Sequence, residues 1–125
     1  IRFAEVLLNY AEAKAELGVF TDADWEKTIG ALRGRAGITG GLTARPTKAD
    51  PYLQANYFPE ITDPSLLEIR RERGIELVFE GLRFSDLLRW KKGNLMTMPW
   101  NGFYVPELDK PMDLNEDGIL DVFLR

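Results

Sequence analysis

One run of leucine and charge, Leu66 to Trp90 (LLEIRRERGIELVFEGLRFSDLLRW), constrains the fold more than any other stretch. Ile69, Leu77 and Val78 are apolar positions of a first helix; Leu82, Leu87, Leu88 and Trp90 resume helical spacing after Glu80-Gly81. The spacing predicts helices over about 63–80 and 82–92, with Gly81 as the hairpin turn. Asp63 then serves as N-cap and Pro64 takes the first helical position. Between the apolar residues stand Glu72, Arg73, Glu76, Glu80, Arg83, Asp86 and Arg89. Glu72, Glu76 and Glu80 repeat at i, i+4 and stack on one face. Arg73 with Glu76, and Arg83 with Asp86 and Arg89, fall at i, i+3 steps where opposite charges pair. Clustered carboxylates also serve acid–base catalysis. An acid with an arginine in reach is more economically a tie between helices, and these residues are read as a structural charge network.

The preceding chain reads as a second hairpin. Phe3, Val6, Leu7, Tyr10, Ala11 and Ala15 give a helical stripe over 1–17, and Gly18 takes the C-cap place. Thr21 and Asp24 form a capping box that opens a helix over 21–36, with Trp25, Ile29 and Leu32 as its apolar stripe. Ala11, Gly18, Phe20 and Ala23 stand where a tetratricopeptide (TPR) hairpin places its small residues and turn aromatic, although Lys27 replaces a usual apolar residue. A long connection, 37–62, follows with Tyr52, Tyr57 and Phe58. The expected division is a helical scaffold over 1–93 and a loop-rich extension over 94–125 ending in a short strand.

Composition narrows the function. A net charge of −4 offers no broad basic field for nucleic acid. With no cysteine and no histidine, disulfides, thiol chemistry and the commonest general base are absent. Nothing approaches the ~18 consecutive apolar residues of a membrane helix. Ile1 starts inside an amphipathic pattern, so a secretion signal or anchor is expected elsewhere in a longer protein.

Two features of the extension suit ligands. Trp100 and Tyr104 flank Asn101 in a turn-rich segment, and a flat aromatic face beside an amide suits a sugar. Tyr57 is a further glycan candidate, whereas Trp90 ends an amphipathic helix and reads as core. Asp113, Asn115, Asp117 and Asp121, with Gly118 and the carbonyl of Ile119, match the alternating oxygen donors of a calcium loop. The loop departs from an EF-hand because Leu124 stands where a bidentate glutamate belongs. The same composition also builds a plain Asx turn. No cofactor is required; Ca²⁺ is the one ion suggested.

RRERGIELVFEGLRFSDLLRW resembles the last helical hairpin of the SusD/RagB family, glycan-capturing outer-membrane lipoproteins of Bacteroidetes. The pattern ER-x2-EL-x-FEG-x-R-x2-DL-x-RW is filled by Glu72, Arg73, Glu76, Leu77, Phe79, Glu80, Gly81, Arg83, Asp86, Leu87, Arg89 and Trp90. RFAEVLLNYAEAKAELG and LRGRAG resemble the preceding helix pair. The resemblance implies a mainly α, TPR-type scaffold in a surface-exposed lipoprotein. Such a protein is not an enzyme; it passes oligosaccharide or polysaccharide to a SusC-type TonB-dependent transporter. It implies contact with the membrane only through a lipid anchor outside this chain. No ligand residue of the family carries over, because no motif here matches one. Two other readings remain: a bare TPR protein-interaction module, and a glycoside hydrolase using paired carboxylates about 5–10 Å apart.

Overall fold

A computed structural model describes residues 2–99, 105, 109–114 and 117–123. The chain is mainly α and divides into two units, Ile1–Leu95 and Met96–Arg125. The first holds α1 (Phe3–Glu16), α2 (Asp22–Trp25), a π-helical turn (Glu26–Gly30), α3 (Ala31–Arg35), α4 (Pro51–Asn56), α5 (Pro64–Glu76) and α6 (Arg83–Arg89).

In α1 the buried face differs from the expected one. Ala4, Leu8, Ala11 and Ala15 are buried together with Glu12, while Phe3, Val6 and Tyr10 are exposed. Both sets have helical spacing; the set with more small side chains faces inward and lets α5 approach closely. α1 runs against α5, so that Arg2 reaches Glu76, Asn9 reaches Arg73 and Glu16 reaches Arg70.

The Thr21 box forms as its sequence predicts: the Asp24 N–H donates to Thr21 Oγ1 at 3.2 Å and the Thr21 N–H to Asp24 Oδ2 at 2.9 Å. Trp25, Ile29 and Leu32 are buried. The expected continuous helix instead carries a π turn, where the Thr28 hydroxyl donates to the Asp24 carbonyl at 2.7 Å. Gly30 stands against the following loop. A Cβ there would meet the Leu42 carbonyl oxygen at 2.0 Å, so only glycine admits that backbone. The Trp25 indole N–H fastens the same loop by donating to the Gly41 carbonyl at 2.9 Å.

Two boundaries are corrected. The 37–62 connection is not all loop, because Asp50 caps α4 with Pro51 at its start, the device repeated at Asp63-Pro64 for α5. The helix expected over 63–80 ends at Glu76, and the next spans Arg83–Arg89 rather than 82–92. Leu77 leaves the helix to enter the core, and the chain turns through left-handed Phe79 (φ 62°) and Gly81 (φ 76°). Arg2 holds this end: its guanidinium donates to the Glu76 carbonyl, to Glu76 Oε1 at 2.6 Å and to Glu80 Oε1 at 2.7 Å.

In the second unit, β1 (Pro111–Met112) pairs antiparallel with β2 (Val122–Phe123), Pro111 opposite Phe123 and Met112 opposite Val122.

Candidate functional site

The charged residues of α5 and α6 are drawn into cross-links between elements far apart in sequence. Arg73 Nε donates to Asp86 Oδ2 at 2.7 Å, both side chains being buried, and Arg73 Nη1 donates to Asn9 Oδ1 at 2.7 Å. Asp86 also accepts from Arg89 Nε at 3.0 Å. Arg89 grips both oxygens of buried Glu12 at 2.6 Å, and the Trp90 indole donates to the same carboxylate at 2.5 Å. On the other side of α5, Arg33 bonds Glu72 at 2.6 Å and also reaches Glu68, while Arg35 bonds Glu76 at 2.6 Å.

The expected i, i+3 pairing is realised only in part. Asp86 and Arg89 pair, but Arg73 turns to Asp86 instead of Glu76, and Arg83 has no carboxylate partner among the described residues. Helical spacing shows which charges share a face; distant elements decide which ones meet. The partners that sequence reasoning missed are Arg2, Asn9, Glu12, Arg33, Arg35 and Glu68. Glu12 alone carried a signal, standing between Leu8 and Ala15 on a face otherwise apolar.

The acids are poorly arranged for proton transfer. Glu72, Glu76, Glu80 and Asp86 each meet a guanidinium. Arg2 holds the Glu80 carboxyl below its ordinary value by hydrogen bonding. A general acid needs the reverse, a carboxyl raised toward the working pH.

Aromatic and guanidinium groups stack around Trp90, which is buried. Arg70 lies 5.0 Å from the Phe58 ring and 4.6 Å from that of Trp90, and Phe58 meets Trp90 edge-on at 5.7 Å. Tyr57 extends this row outward. It is half-buried, 6.4 Å from Phe58 and 6.1 Å from exposed Tyr52. Trp100, Asn101 and Tyr104 lie outside the described residues.

In the β1–β2 loop the acids meet backbone amides. Asp113 accepts from the N–H groups of Asp117 at 3.3 Å and Gly118 at 2.7 Å. Asp117 accepts from Ile119 at 2.8 Å, and Asp121 from Leu114 at 2.9 Å. Gly118 supplies the left-handed turn with φ 86°. These are hard oxygen donors of the right chemistry for Ca²⁺, but no group of three carboxylates converges among the described residues. Asn115 lies outside them.

No described helix is long and apolar enough to cross a membrane. No curated protein and no solved structure matches the chain. The SusD family model matches residues 1–116. With a helical-hairpin unit, a charge-tied α5–α6 pair and that match over nearly its whole length, the chain belongs to the SusD family.

Proposed function

We propose that this chain is part of a non-catalytic, glycan-binding component of an outer-membrane polysaccharide uptake system. It works with a SusC-type TonB-dependent transporter and is held at the cell surface by a lipid anchor carried outside these residues. The family match over residues 1–116 carries the reading. The arginine-engaged acids of α5 and α6 support it against a glycosidase, which needs one carboxyl protonated and another free.

Trp100, Asn101 and Tyr104 are the proposed sugar contacts, with Tyr57 beside exposed Tyr52 as a second face. Ca²⁺ on Asp113, Asn115, Asp117, Asp121 and the Ile119 carbonyl is a further proposal resting on donor spacing. The ion would neutralise a loop rich in carboxylates.

Affinity electrophoresis of the protein against a polysaccharide panel tests the function, with a reducing-sugar assay run in parallel. Retardation without sugar release is expected. Release of reducing ends, or unretarded migration in every polysaccharide, would overturn it. Weaker retardation of Trp100→Ala, Tyr104→Ala or Tyr57→Ala, with melting unchanged, assigns the contacts.

A further inference from the structure

The α5–α6 turn carries a feature that the glycan reading does not use. A recess of about 340 Å³ opens there, walled by apolar Leu77, Val78, Phe79 and Phe84 and by charged Arg73, Arg83 and Asp86. That volume is at the small end of ligand pockets and suits one large side chain. Three of its lining residues are exposed apolar side chains: Val78, Phe84 and Phe79, the last fully in solvent at 101%. Phe79 holds this pose in the left-handed region, φ 62°, which disfavours a bulky side chain. Grouped exposed apolar residues mark interaction surfaces.

Over this recess lies Arg83. Every other arginine among the described residues pairs with a carboxylate; Arg83 has none. Its guanidinium rests against α5 at Gly74, where a Cβ would fall 1.6 Å from Arg83 Nη2, and lies 5.6 Å from the Trp90 ring. Gly74 thus leaves the space in which the cation is seated. Lost hydration lowers the Arg83 pKa from its ordinary value; the Asp86 charge offsets part of this and Arg73 adds to it. An arriving carboxylate relieves that cost. The Asp86 carboxylate in the wall is itself hydrogen-bonded by Arg73 and Arg89 and makes no ion pair with Arg83.

We infer that this recess docks a partner polypeptide through an apolar side chain followed closely by a carboxylate. The side chain enters between Leu77, Phe79 and Phe84, and the carboxylate bonds Arg83. A sugar fits less well, because Leu77, Val78, Phe79 and Phe84 form most of the side-chain wall, while Arg73 and Asp86 are engaged with each other. A buried apolar anchor beside one arginine is instead the usual core of a protein contact. The inference stands independently of the glycan reading.

The test is an amide and arginine Nε chemical-shift titration of the 125-residue chain. The probes are N-acetyl-L-phenylalanine, its neutral carboxamide, and glucuronate. The acid should shift Gly74, Gly81 and the Arg83 Nε–H, with a Kd of about 1 mM. The carboxamide should bind about tenfold more weakly, since a charge-assisted hydrogen bond is lost. Arg83→Gln should remove that difference. Gly74→Ala should weaken the acid too, by displacing the guanidinium, while melting stays unchanged or rises because alanine favours the helix. Equal binding of acid and carboxamide, shifts confined to other residues, no shift at all, or glucuronate matching the acid at these signals would each overturn the proposal.

Discussion

In residues 1–95 every buried carboxylate among the described residues pairs with a lysine or arginine, most of them from a distant element. In the 113–121 loop the described carboxylates accept from backbone N–H groups two to seven residues away. The same residue type therefore does two jobs. In the helical unit it fixes how α1, α3, α5 and α6 sit on one another, at a desolvation cost that only good pairing offsets. In the loop it replaces missing sheet and helix partners for the backbone, as Asx turns do. The first kind of contact disappears when either partner is removed. The second is local.

This contrast predicts a graded series of losses. Asp86→Ala strips Arg73 and Arg89 of their shared acceptor and leaves Arg73 buried without its counter-charge; about 3–5 kcal/mol of unfolding free energy should be lost in a urea titration. Glu12→Ala comes next, since the Trp90 indole loses its acceptor and Arg89 its bidentate grip, at roughly 1–3 kcal/mol. Unchanged urea midpoints in both variants would erase the difference between the two regions.

Acid titration separates the regions further. Lys14 first, then Thr21, hold the Asp24 carboxyl far below its ordinary value by hydrogen bonding. A depressed folded pKa gives stability that is fully present above the unfolded value, about 4, and is lost as pH falls through the folded one. Melting temperature should therefore fall below about pH 4, and Asp24→Asn should lower it at pH 7 and flatten that slope. An identical acid slope in the variant would remove Asp24 from the account.

The smallest effect belongs to the loop. Isothermal titration with millimolar Ca²⁺ should give a weak binding heat that Asp117→Ala abolishes, because few anionic ligands bear on the ion. No heat in the parent chain would leave the loop as an Asx turn alone.

Legibility in the sequence follows the range of the interaction. The Thr21–Asp24 box and the Asp63-Pro64 start were readable because partners two or three residues apart sit in one window. Trp25, Ile29 and Leu32 were readable because burial follows helical period. Asp50-Pro51 carries the same start signal, but a six-residue helix has too few turns to show a period, so the sequence does not distinguish α4 from loop. Phe3, Val6 and Tyr10 have core-like spacing yet are exposed, because α1 has two apolar faces and only packing against α5 selects one. Arg33–Glu72 and Arg89–Glu12 span 39 and 77 positions, a pairing that no window sees. Of the candidate sugar contacts, Tyr57 is found beside Tyr52; Trp100, Asn101 and Tyr104 lie outside the described residues.

The central claim is that the acids of α5 and α6 bind helix to helix, and a double-mutant cycle on Arg73 and Asp86 tests it most directly. Stability of Arg73→Ala, Asp86→Ala and the double variant is read from urea unfolding. The account predicts a double variant far more stable than the sum of the single losses, with a coupling energy of about 2–3 kcal/mol. Losses that add to within about 0.5 kcal/mol would show that the pair is not a cross-link and contradict the account.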